Sequence, residues 1–233
     1  MTARRVAALL LASLSLAGCG GVERGNTGTA RLWITRDRGS TLLVSATVPA
    51  GETLMRALRS QAKVETRYGG RFVVAINGVR GSLFARHDWF WFVNGLAGDT
   101  SAAEYRLRAG DVAWWDYRDW THDSDLEVVA GAFPEPFVHG YDGHVHPAAV
   151  RYAPGQRPAA IRIARRLHAS SVAPLGTSAP HDASLFVLLR GPTRFTAALR
   201  SPGSGPTAPV VLTFSGDVSK LLQGVYARGF AVP

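Results

Sequence analysis

Polar and apolar residues alternate through Arg31-Leu-Trp-Ile-Thr-Arg36, the two-residue period of a strand with one covered face. Asp37-Arg38-Gly39 predicts a turn, and Ser40 to Val48, rich in Leu, Val and Thr, predicts a second strand that stops at Pro49-Ala50-Gly51. From Glu52 to Ala62 the period changes. Leu54, Leu58 and Ala62 recur every four residues, predicting a short helix with one apolar stripe and with Glu52 at the positive end of its dipole. Arg71 to Ile76 and Trp89 to Val93 are predicted strands. They close in Asn77-Gly78 and Asn94-Gly95, dipeptides that accept positive φ at successive positions and so mark tight reversals. Glu104 to Arg108 leads through Ala109-Gly110-Asp111 into a last strand, Val112 to Tyr117. Strand, strand, helix and then three or four strands is the order of an α+β unit in which one helix packs across a mixed sheet, the β-grasp plan, expected over residues 31–125.

The pattern breaks around Asp119 to Val128, and a second α/β or α+β unit is expected over residues 128–233. Its opening, Gly131-Ala-Phe-Pro-Glu-Pro-Phe137, excludes a helix through its prolines. Ile161 to Leu167 predicts a short helix, while Ser184 to Leu189, Phe195 to Leu199 and Pro209 to Phe214 predict strands. Ser201 to Pro209 reads as a loop, and Val218 to Ala227 as a closing amphipathic helix.

Three motifs in the first unit carry a resemblance. They are the tryptophan strand Trp89-Phe-Trp-Phe-Val-Asn-Gly95, the turn Tyr105-Arg-Leu-Arg-Ala-Gly-Asp111, and the closing strand with Trp115 and Tyr117. With the run Val64 to Gly78 before them, residues of about 50–118 resemble a bacterial extracytoplasmic domain of unknown function that is similar to the C-terminal β-domain of transcobalamin and intrinsic factor. The resemblance implies a β-grasp fold and a surface that contacts one face of a corrinoid such as cobalamin. In transcobalamin-like proteins a large helical domain supplies the other half of that site, and none is visible in this sequence.

The first nineteen residues have a separate pattern. Arg4 and Arg5 precede an apolar run from Val6 to Leu16, and Leu16-Ala17-Gly18-Cys19 follows. The run is shorter than the roughly 20 residues that a spanning helix needs, and Cys19 is the one cysteine of the chain. The segment resembles a bacterial lipoprotein signal with its lipobox, which implies removal of residues 1–18, lipidation of Cys19 and residence on the outer face of the cell membrane. Residues 19–30 then read as a flexible tether. The formal charge is +9, yet the arginines are scattered rather than gathered with aromatics in a patch. Nucleic acid is therefore not an expected partner, and anionic headgroups or wall polymers are.

Candidate chemistry falls into three groups. Trp89, Trp91, Trp114, Trp115 and Tyr117 crowd into two strands of one small sheet, with Asn94 and Gly95 at the turn between. So many rings in a small sheet leave two readings, an exposed platform for a flat or bulky apolar ligand, or ordinary core with scattered surface aromatics. His139, His144 and His146 fall within eight residues with Asp142 between; His144 and His146, two apart, would face one side of an extended segment as a pair of imidazole ligands for zinc or a similar metal. The stretch Asp116 to Asp125, with Asp119, His122 and Asp123, offers a His–Asp dyad or a hard-cation site, against a solvated linker. Asp111 reads as a cap of its own turn. The chain carries no G-x-S-x-G elbow, no P-loop and no G-x-G-x-x-G after a strand. The expectation is a non-enzymatic, lipid-anchored binding module, for a corrinoid ligand or for a surface-protein or transporter partner. A structural module without a small-molecule ligand is the alternative, and a metal-dependent hydrolase on the second unit a more distant one.

Overall fold

The computed structural model describes residues 28–121, 131–191, 196–200 and 205–226. Residues 1–27, with Cys19 and most of the tether, and the trio His122, Asp123 and Asp125 lie outside the described residues.

The first half holds β1 (Thr29–Arg36), β2 (Thr41–Pro49), α1 (Leu54–Gln61), β3 (Val64–Arg67), β4 (Phe72–Ile76), β5 (Val79–Arg80), β6 (His87–Val93), β7 (Leu96–Ala97) and β8 (Val112–Asp119). A five-stranded sheet runs β2-β1-β8-β6-β7, with β1 and β8 parallel at its centre and the other pairings antiparallel. Strands β3, β4 and β5 form a smaller antiparallel sheet beside it. This is the expected β-grasp arrangement. Both Asn-Gly pairs turn as their chemistry requires: Asn77 and Gly78 sit at φ 49° and 81°, Asn94 and Gly95 at 55° and 83°.

Alternation decides the two faces of the sheet. Register places Leu32 beside Ala113 and Ile34 beside Trp115, on the face that also buries Leu54 and Leu58 of α1. The opposite face stacks Arg31 beside Val112, Trp33 beside Trp114 and Thr35 beside Asp116. Thr53 caps α1 by accepting from the Arg56 amide at 3.2 Å, and Glu52 pairs with Arg56 one turn on.

β8 runs on through Arg118 and Asp119, two residues past its predicted end, which corrects the reading of those positions as solvated linker. Asp116 is wholly buried and accepts from the Arg38 and Gly39 amides (both 3.0 Å), from the Thr35 hydroxyl and from Arg118 Nε (2.8 Å). Its carboxylate thereby holds the β1–β2 hairpin against β8. The Arg118 guanidinium, also buried, lies 5.0 Å from the Phe92 ring centre.

The second half holds β9 (Ala148–Tyr152), α2 (Arg157–Leu167), β10 (Ser171–Pro174), β11 (Ser184–Leu188), β12 (Thr196–Arg200), β13 (Val211–Ser215) and α3 (Val218–Leu222). Its sheet runs β10-β9-β11-β13-β12, parallel except for β12 at the edge. α2 is the crossover between the parallel strands β9 and β10, and it begins a turn before the predicted start, at Arg157 with Pro158 in its first turn. α3 is shorter than predicted, ending at Leu222. Buried side chains from both sheets belong to one continuous apolar cluster.

Candidate functional site

The aromatic residues singled out from the sequence form core, the second of the two readings, and the exposed platform for these rings is corrected. Trp114 is 0 % exposed, and Trp115 and Trp89 are nearly as well covered. Trp91 is half-buried, 6.4 Å from Trp115 and 5.9 Å from Tyr105, with Gly98 so close that a Cβ there would overlap its ring. Tyr117 packs 5.2 Å from Trp89 and donates to the Arg80 carbonyl at 3.1 Å. The rings fit because α1 and the small sheet cover one face while Trp33, Phe92, Val112, Trp114 and Ala132 cluster on the other.

Asn94 and Gly95 are buried as well. Asn94 Nδ2 donates to Asp111 Oδ1 (2.8 Å) and to the Gly140 carbonyl (2.7 Å), and Asn94 Oδ1 accepts from the Val112 amide (2.8 Å). Asp111 also accepts from the Arg108 amide at 2.8 Å, the turn cap read from the sequence. Burial pushes the Asp111 carboxyl above its ordinary range, against the pull of those two donors. The Val-Asn-Gly and Gly-Asp motifs thus form one buried polar knot that receives residues 139–142 of the second half. Around the knot, Tyr141 donates to Asp99 (2.9 Å), the Asp142 amide donates to Tyr105 Oη (3.2 Å), and Arg108 pairs with Asp142 (2.9 Å). Burial raises both phenols, Tyr105 and Tyr141.

The three histidines are not drawn together. His139 Nδ1 lies 2.6 Å from Glu135 Oε1, and its amide donates to Glu135 Oε2 at 2.9 Å. His144 closes a tight turn with Tyr141. His146 Nε2–H donates to the Thr207 carbonyl at 2.7 Å. His144 and His146 share only a crevice of about 10 Å³, too small for more than one water. Among the described residues no group of three or more His, Cys, Asp or Glu side chains is placed to hold a metal ion.

What the sequence reading missed is a cleft of about 590 Å³ where the two halves meet. Its walls come from the α1-free face of the first sheet (Arg31, Trp33, Val112), from the proline-rich segment (Phe133 to Glu135, with His139), and from α2 and α3 (Arg166, Leu221). Glu135 and Asp111 are buried in its lining, and the hydrogen bond that His139 donates to Glu135 raises the imidazole above its ordinary value. The ring lies flat on Gly110, where φ is 88° and an added Cβ would come within 2.3 Å of His139 Nε2. Gly110 is therefore needed twice, for its turn and for this contact. Only Glu135-Pro-Phe-Val-His139, with Glu and His four apart beside prolines, hinted at the site.

A family model described as a domain of unknown function (DUF4430) matches residues 51–119, the stretch that carries the transcobalamin-like resemblance. No curated protein matches the chain. Among solved structures, a protein of Ruminococcus gnavus whose description proposes metal binding is 14 % identical, over 40 % of this chain and 97 % of that one, with a TM-score of 0.34. Haptocorrin in complex with Cbi is 16 % identical over 39 % of this chain, with a TM-score of 0.33; the match takes in 25 % of the haptocorrin chain.

Proposed function

We propose that the protein is a non-catalytic, extracytoplasmic binding module, and that the cleft between its two sheets is where a small molecule sits. The observation that carries the reading is the cleft itself. Its volume lies within the roughly 300–1,000 Å³ of small-molecule sites, and its lining sets the charged groups of Arg31, Asp111, Glu135 and Arg166 beside apolar Phe133, Val138 and Leu222. A corrinoid is the ligand that the resemblance of residues 50–118 puts first, and the cleft would engage part of it rather than enclose it. Thr47 faces Arg31 across the β1–β2 register and lines the cleft from an exposed position, so Thr47→Trp plugs the site without disturbing the core. Titration of tryptophan fluorescence with cobalamin is expected to show saturable quenching that Thr47→Trp abolishes. Quenching no greater than the inner-filter effect removes the corrinoid.

Lipidation of Cys19 would hold this module at the outer face of the membrane. The Cys19→Ser variant is expected to leave the membrane fraction or to fail to mature, and normal processing with membrane retention would refute the anchor. Binding of a surface or transporter protein is the second reading, and it has an observation of its own. Tyr68, Leu83 and Phe84 stand on and beside the small sheet at 77 %, 80 % and 101 % exposure, an unusual outlay of large apolar side chains.

A further inference from the structure

The cleft is lined by two carboxylates, two arginines and a histidine, and their partners are unequally distributed. Both carboxylates are already occupied. Glu135 holds the amide and imidazole of His139, and Asp111 holds Asn94 and the Arg108 amide. The arginines are not. Arg31 and Arg166 are exposed, line the cleft from opposite halves of the molecule, and make no ion pair or side-chain hydrogen bond among the described residues. Arg31 lies 5.9 Å over the ring of Trp33, a cation–π contact that uses none of the guanidinium's N–H donors. Arg166 is near enough to His139 to oppose its protonation electrostatically, which places its charge in the same small space.

We propose that the cleft takes a small organic anion, its carboxylate or phosphate head held by Arg31 and Arg166 and its apolar body laid against the half-buried Phe133 and Leu222. The proposal rests on the cleft being the binding site and adds the class of ligand. Planar guanidinium forks match the geometry of both head groups, and charge-assisted bonds of this kind are about twice as strong as neutral ones. An inorganic ion alone would fill only a fraction of about 590 Å³ and leave the half-buried Phe133, Val138 and Leu222 of the lining uncovered. A neutral apolar molecule would leave two cations without partners. An anion with an aromatic or similarly flat body satisfies both halves of the lining.

Calorimetric titration of the full-length protein with four probes decides the matter. The probes are phenylacetate, phenyl phosphate, neutral 2-phenylethanol and inorganic phosphate. At low salt near pH 6, at least one of the two aromatic anions is expected to bind ten-fold or more tightly than 2-phenylethanol and than inorganic phosphate. Which anion leads tells a carboxylate head from a phosphate head. Arg31→Gln and Arg166→Gln, both on exposed side chains, are each expected to weaken that anion five-fold or more while leaving 2-phenylethanol binding and the thermal midpoint unchanged. If 2-phenylethanol binds as well as the anions, or the Arg31→Gln/Arg166→Gln double variant loses nothing, the anion class is wrong although the cleft still binds. Inorganic phosphate matching phenyl phosphate would reduce the site to an ion site. If no probe binds, the anion proposal falls and the cobalamin titration alone decides the cleft; binding that survives Thr47→Trp overturns the cleft as the site.

Discussion

At the residue scale, Asn94 and His139 stand where the two halves meet. Asn94 makes three hydrogen bonds from a position of 0 % exposure, one of them to Gly140 of the second half. Asn94→Ala takes a partner from the Val112 amide, the Gly140 carbonyl and Asp111 Oδ1 in a buried site. Unpaired buried groups cost about 1–3 kcal/mol each. A loss of at least that size is expected in urea unfolding, together with faster hydrogen exchange at the Val112 amide; an unchanged midpoint would contradict the assignment. His139 gives a pH prediction. Its imidazole is raised above 6.5 by Glu135, so the contribution of the pair to stability is complete below about pH 6.5 and is lost as pH rises through the higher folded value. Titration of the His139 ring protons by NMR is expected to show the raised value, and Glu135→Gln to bring it back toward the ordinary one. Asp111, Arg166 and Gly110 face the same ring, so Glu135→Gln reads the largest contribution and leaves the smaller ones in place.

At the element scale, the central strands β1 and β8 serve two cores at once. One face packs on α1, and the other, with Arg31, Trp33 and Val112, becomes a wall of the cleft. This explains why so many large rings sit in a small sheet. They face in both directions, and each face has a cover. It also explains the buried Asp116–Arg118 pair, since a strand covered on both sides has no solvated face on which to leave its polar residues. α1 and α2 are set by ordinary helix chemistry. Thr53 caps the first, and Pro158 opens the second while His168, at φ 50°, closes it.

At the scale of the whole molecule, we propose that the halves are two units, as the break in pattern around residues 119–128 suggests, with the 131–142 segment as the piece that docks the second on the first. Residues 1–125 alone are expected to keep exchange-protected amides in β4 and β6. They should unfold at a lower denaturant concentration than the full chain, because the bonds from Asn94, Tyr105, Asp99 and Arg108 to Gly140, Tyr141 and Asp142 are gone. An unfolded spectrum from this fragment would show that the two sheets need a common core.

The sequence by itself determined the local features: the β1–β2 hairpin, the stripe of α1, the two Asn-Gly reversals, the Asp111 turn cap and, from their order, the α+β plan of the first half. These depend on periodicity and turn chemistry, which act over a few residues and are therefore written in adjacent positions. β9, β10 and the short β3, β5 and β7 were not legible. A buried parallel strand such as Ala148–Tyr152 shows no alternation, and two-residue strands exist only through their partners. The same limit applied to the site. Whether Trp114 or Asn94 faced solvent, and whether three nearby histidines met, depended on what covered them from residues tens of positions away. The cleft joins Arg31, Asp111, Glu135, Arg166 and Leu221, and only tertiary packing brings those five positions within reach of one ligand.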